Sequence, residues 1–150
     1  MKRARKPVYA GLTLLGNSQA AFPPSPRAAK LETFANPFPQ RDYTVQIDSP
    51  DFTSLCPVTG QPDFAEIQIE YIPDRKCVET KSLKLYLSSY RNMPSFNEEV
   101  VNRILEDLVR ACRPRWMRVE GHFMPRGGLS LSVIVEYPEG KLAAQPPSSR

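Results

Sequence analysis

Cys56 and Asp63 stand seven positions apart in "FTSLCPVTGQPDF", residues 52–64. Pro57, Thr59, Gly60 and Pro62 make the stretch between them a rigid loop, poorly suited to a core. A thiol presented by such a loop reads as a nucleophile, and the nearby carboxyl can handle a proton. The competing reading is a small buried hydrophobe beside a turn-capping aspartate. No histidine lies close in sequence to deprotonate the thiol. The one histidine, His122, has no evident partner set for a catalytic triad.

Other residues carry a structural and a chemical reading side by side. Glu98 closes "SFNE", an S-x-x-E capping box at a helix start, and is equally suited to grip a ligand. Glu79 precedes another helix, where the helix dipole favours a carboxylate. Lys81 and Lys84 are three apart and share one helix face. Such a pair is usually solvated surface, and becomes a phosphate site only with a third base such as Arg126. No G-x-G-x-x-G follows a strand and no Walker loop is present, which excludes the standard nucleotide folds.

The elements that must position these residues are legible in outline. The chain has 150 residues, 41% hydrophobic and 24% charged, enough for one soluble domain. Residues 1–40, with "FPPSPRAAK" and "NPFPQ", read as an extended arm, 41–138 as the domain, and 139–150 as a disordered tail. "RDYTVQIDS" and "AEIQIEYI" alternate as half-buried strands, joined by a long connection over residues 49–63. "KSLKLYLSSYRN" is a helix, and "SFNEEVVNRILEDLVRACRP" a stronger one that buries Cys112 and stops at Pro114. "WMRVEGHFM" and "LSLSVIVEY" are strands, with "PRGG" as their turn. Two hairpins and two helices predict an α+β layer, a four-stranded antiparallel sheet with both helices on one face. Its open edges favour a homo-oligomer joined edge to edge.

Charge and cysteine usage bound the setting. A net charge of +4 suits an anionic ligand or nucleic acid. Three unpaired, scattered cysteines and no apolar run of membrane-spanning length predict a cytoplasmic protein without disulfides. With one histidine, metal catalysis is not expected.

Taken in order and at their spacing, "FTSLCPVTGQPDF", "VETKSLKLYLSSYRN", "FNEE" and "MPRGG" resemble the 7-cyano-7-deazaguanine reductases, most closely the short single-domain branch. The similarity runs from "GLTLLGN" near residue 11 to about residue 137. "ETKSLKLY" resembles the signature that separates these reductases from GTP cyclohydrolase I, a zinc enzyme of the same tunnelling fold. The resemblance implies that fold, assembled as stacked rings with sites between subunits. It implies reduction of a nitrile to a primary amine in the pathway to queuosine, on a free base rather than on nucleic acid. The expected cofactor is NADPH, two per turnover, without a metal.

The resemblance also implies residue roles. Cys56 adds to the nitrile to form a thioimidate, and Asp63 donates the proton. Val78, Glu79, Thr80, Asn97 and Glu98 hold the base, and Lys81, Lys84 and Arg126 serve NADPH. Two positions depart from the family's pattern. Thr80 stands where serine or leucine is usual, and Asn97 where a histidine is usual; asparagine hydrogen-bonds but does not titrate near neutrality. A cysteine hydrolase acting on the same thioimidate, independent of a cofactor, is the enzymatic rival. A basic tRNA-binding module with salt-dependent affinity is the other.

Overall fold

The computed structural model describes residues 8–16 and 21–139. The basic "KRARK" start and the "GKLAAQPPSSR" end lie outside the described residues. In chain order the elements are β1 (Thr33–Ala35), β2 (Val45–Leu55), β3 (Pro62–Ile72), β4 (Lys76–Val78), α1 (Thr80–Ser88), α2 (Asn97–Cys112), β5 (Trp116–Arg126) and β6 (Leu129–Tyr137). The main sheet is antiparallel in the order β2-β3-β5-β6.

Alternation makes one face of that sheet the core. β3 buries Asp63, Ala65, Ile67, Ile69 and Tyr71, and β5 buries Met117, Val119, Gly121 and Phe123. α2 answers with Val100, Val101, Ile104, Leu108 and Cys112, and α1 with Leu83, Tyr86 and Leu87. All but Asp63 and Gly121 belong to one cluster, so both helices lie on the same face. Gly121 makes this approach possible, because a Cβ there would lie 2.5 Å from Val101 Cγ2. α2 ends with Arg113 in the left-handed region at φ 47°, and Pro114 then denies the helix another N–H donor.

Two features differ from the sequence expectation. The long connection over residues 49–63 is replaced by two strands that run on to Leu55 and restart at Pro62, leaving only 56–61 as the turn. The register shifts between Ser49 and Phe52, a bulge at which the inward-facing residues change from odd to even numbers. That shift breaks the alternation by which a strand is read from sequence. The second feature is an additional two-stranded sheet, in which β1 of the arm pairs antiparallel with β4, Thr33 opposite Val78. Glu32 ties the arm down further. Its carboxylate accepts the N–H groups of Thr13 and Leu14 and the Thr13 hydroxyl, and its own N–H donates to Ser82 Oγ at 2.9 Å.

Candidate active site

The turn 56–61 closes on itself. Cys56 N–H donates to the Gln61 carbonyl at 2.8 Å, and Gly60 N–H to the Cys56 carbonyl at 2.9 Å. Gly60 sits at φ +69°, a conformation L side chains rarely adopt, which lets the loop fold back within so few residues. The fold-back aims donors at the thiol. The Thr59 hydroxyl, then the N–H groups of Thr59 and Val58, then the Arg126 guanidinium hydrogen-bond Cys56, and together they bring its thiol down to about 7. Close to half of it is therefore thiolate at neutral pH. Cys56 is partly accessible, unlike the buried Cys77 and Cys112.

Arg126, from the β5–β6 hairpin, reaches across the same turn. Its Nε lies 3.3 Å from Asp63 Oδ1, and its Nη2 donates to Gln61 Oε1 at 2.9 Å. Asp63 is buried on the core face of β3, directly opposite Ser54 of β2. One guanidinium thus holds the buried carboxylate and the far end of the thiol's turn.

The start of α2 is drawn to the same end of β2. Leu55 bridges in parallel to Pro94, with Leu55 N–H donating to Met93 O and Ser95 N–H to Leu55 O, both at 3.1 Å. This pairing pulls Ser95 off the helix axis and leaves Phe96 as the N-cap, with no side-chain cap bond. The capping box expected of Ser95 and Glu98 therefore does not form. Glu98 is exposed, and Asn97 Oδ1 is buried with no hydrogen-bond partner among the described residues.

Glu79 does cap its helix. Its two carboxylate oxygens accept the N–H groups of Lys81 and Ser82, each at 2.7 Å, while its own N–H donates to the Glu32 carbonyl at 2.9 Å. Val78 beside it is buried and Thr80 exposed. Between α1 and the bulged part of β2 runs a groove of about 260 Å³, walled by Thr80, Lys84, Ser88 and Arg91 on one side and Asp48 and Asp51 on the other.

The one histidine has partners on the opposite, open face of the sheet. His122 Nδ1 lies 2.9 Å from Ser132 Oγ, and its Nε2 lies 2.9 Å from Glu120 Oε2. The expectation that it had no partner set is thereby corrected. The row runs across β5 and β6, and Glu120 also lines a depression of about 250 Å³ with Arg118, Gln68 and Gln46.

Comparison with known proteins decides the family. The family described as "QueF-like protein" matches residues 62–141. NADPH-dependent 7-cyano-7-deazaguanine reductase from Nitrosococcus oceani is 57% identical over 114 residues, spanning 76% of this chain and 88% of that protein. The proteins of that name from Magnetococcus marinus and Syntrophus aciditrophicus are 52% and 54% identical, spanning 75% and 84% of this chain and 88% and 86% of theirs. The chain belongs to the NADPH-dependent 7-cyano-7-deazaguanine reductases. The crystal structure of the archaeosine synthase QueF-Like in the apo form superposes with a TM-score of 0.59 at 26% identity, covering 62% of this chain and 91% of that one.

Within this reductase chain the expected residues fall into three places. Cys56, Asp63 and Arg126 share the turn, and Asn97 and Glu98 open the helix held beside it. Val78, Glu79, Thr80 and Lys81 surround the start of α1, and Lys84 stands one turn further along the groove. Arg126, grouped with the lysines by sequence reasoning, sits on Asp63 and Gln61. Thr59 and Gln61 at the turn and Arg91 on the groove wall escaped that reasoning. The three-residue step from Cys56 to Thr59 was the available signal, since a hydroxyl at that distance can fold back onto the residue that starts the turn.

Proposed function

We propose that this chain reduces the nitrile of 7-cyano-7-deazaguanine to an aminomethyl group, in the route to the tRNA nucleoside queuosine. The observation that carries the chemistry is an accessible Cys56, its thiol brought down to about 7 by the turn, with the buried Asp63 carboxylate held by Arg126 at the other end of that turn. A nitrile carbon is electrophilic yet a poor hydride acceptor, and covalent addition of a thiolate corrects this. The Cys56 thiol gives its proton to the Asp63 carboxylate, its sulfur bonds to the carbon while one π pair of the triple bond moves to nitrogen, and Asp63 hands that proton on to the nitrogen. The product is a thioimidate.

NADPH, when bound, supplies hydride twice per turnover, first to the thioimidate carbon and then to the imine carbon left once the thiolate departs. Lys84 and Arg91 on one wall of the groove along α1, with Lys81 one turn before Lys84, would meet its phosphates, while Asp48 and Asp51 on the other wall confine them to that side. Arg126 is the basic residue at the thiol end of the site. Val78, Glu79, Thr80, Asn97 and Glu98 hold the base. The Glu98 carboxylate, uncommitted to a helix cap, can accept two N–H groups from the amidine-like edge, and Asn97 Oδ1 offers a buried acceptor awaiting a donor. Closure around these groups must exclude water, since a thioimidate is also open to hydrolysis.

The reading extends to assembly. β2 and β6 are the outer strands of the sheet, and Leu129, Leu131 and Ile134 of β6 are exposed. Edge-to-edge pairing of copies into stacked rings would cover them and wall the thiol turn with a second subunit. Among the described residues no helix is long and apolar enough to cross a membrane. The reading places the enzyme in the cytoplasm, acting on the free base.

Mass spectrometry of the protein mixed with 7-cyano-7-deazaguanine and no NADPH tests the first step. A covalent adduct on Cys56, absent in Cys56→Ala, is expected. An adduct that survives that substitution refutes the nucleophile, and release of a hydrolysed base without NADPH would favour a hydrolase.

A further inference from the structure

Ser54 has no evident reason to be a serine. It is fully buried, and its Oγ finds no hydrogen-bond partner among the described residues. Along β2 it follows the core residue Phe52 on the inward face, where alanine would fill nearly the same space with no polar atom to desolvate. Buried hydroxyls are normally satisfied, so one left without a partner points to a partner that arrives or turns toward it later.

The register says which partner. Ser54 is directly opposite Asp63, as Phe52 is opposite Ala65 one step along, and both rows face the core. Side chains so placed have Cβ atoms about 4.5–5.5 Å apart, within reach of a hydroxyl–carboxyl hydrogen bond after a small rotation. In the chain as it stands, Asp63 leans on Arg126 through Oδ1. A carboxyl that donates a proton changes what it needs from its neighbours, because its neutral form offers an O–H and its charged form only acceptors. A hydroxyl serves both, accepting from the acid and donating to the carboxylate, whereas a guanidinium only donates.

We propose that Ser54 is a positioning residue for Asp63, its hydroxyl holding the carboxyl aimed at the substrate before proton transfer and stabilising the carboxylate afterwards. Ser54 makes and breaks no covalent bond. It acts only through the Asp63 oxygen that Arg126 leaves unheld. This inference rests on Asp63 as the proton donor to the nitrile nitrogen.

The test is a double-mutant cycle on adduct formation at Cys56, followed with saturating 7-cyano-7-deazaguanine and no NADPH. Ser54→Ala should slow the covalent step about tenfold, the scale of one hydrogen bond to a group that becomes charged. Affinity for the base and melting temperature should hold. Ser54→Thr, which keeps the hydroxyl, should recover most of the rate. In the Asp63→Asn background, Ser54→Ala should add no further loss. A wild-type rate in Ser54→Ala overturns the assignment, as does an undiminished tenfold loss on top of Asp63→Asn, or a loss that tracks a lowered melting temperature. If Asp63→Asn itself reacts at full rate, the proton-donor reading falls as well. A slow Asp63→Asn beside a full-rate Ser54→Ala removes Ser54 alone.

Discussion

Thr59→Val separates the two ways in which the turn activates Cys56. The Thr59 hydroxyl is the largest of the influences that bring the thiol to about 7, ahead of the N–H groups of Thr59 and Val58 and of Arg126. Valine keeps the shape and both N–H donors and removes only the hydroxyl. Taking away the leading hydrogen bond to the charged form should move the thiol titration up by about one pH unit. Near pH 7 the thiolate would then fall from about one half to about one tenth, so alkylation and adduct formation should both slow about fivefold. The sign follows from the charge. The groups favour the thiolate, so reactivity is full above the folded midpoint and lost as pH falls through about 7. Ultraviolet thiolate absorbance and iodoacetamide rates across pH 5.5 to 9.5 would locate both midpoints. Thr59→Ser keeps the hydroxyl, with the bond it accepts from Gln61 N–H, and should hold the wild-type midpoint. Coincident midpoints for Thr59→Val and wild type would refute the reasoning and leave the backbone donors and Arg126 as the source of activation.

Asn97→His should raise the single-turnover rate while changing base affinity little; because a general acid–base group is commonly worth about 10²–10⁴-fold, even a partial gain is measurable. Identical pH–rate profiles for the two forms would make position 97 a shaper of the pocket only. Lys81→Ala combined with Lys84→Ala should raise the KM for NADPH and leave adduct formation intact, since the phosphates they serve are absent in that step; loss of the adduct would place them with the base or in the fold. Gly121→Ala should lower the melting temperature, because the new Cβ meets Val101 Cγ2 at 2.5 Å and Phe123 Cε2 at 3.0 Å. Overpacking of this kind costs about 1–3 kcal/mol, and an unchanged thermal melt would show that α2 shifts freely.

The parts of the fold that were legible are those in which one periodic pattern meets one face. Ile67, Ile69 and Tyr71 alternate without interruption, and Val101, Ile104, Leu108 and Cys112 keep a helical stripe, so β3 and α2 were readable. β2 was readable only to Ser49, because the bulge beyond it exchanges the inward and outward positions. β1 and β4 have three residues each, too few for any period, and their pairing depends on contacts across more than forty positions of chain. The capping box failed for a tertiary reason: Ser95 is recruited by Leu55 before it can cap α2. At the site, Cys56 and Asp63 stood out by their loop and by resemblance. That Arg126 joins them depends on the β5–β6 hairpin folding back over the turn, which nothing local in "MPRGG" announces.

The contrast between the three cysteines also makes the protein selectively addressable by chemistry. Cys56 sits at about 7, whereas burial, foremost, pushes Cys112 up to about 12, and Cys77 is enclosed against Tyr43. At neutral pH Cys56 is therefore largely the thiolate source and Cys112 stays a thiol, before accessibility widens the gap. A maleimide fluorophore used sparingly would therefore label the folded chain at one atom, reporting on the turn without an engineered handle. A mild electrophile would find the same atom first, so a nitrile-bearing purine mimic that stalls at the thioimidate would act as an affinity label, its selectivity set by the base pocket and its persistence by the absence of a hydride donor.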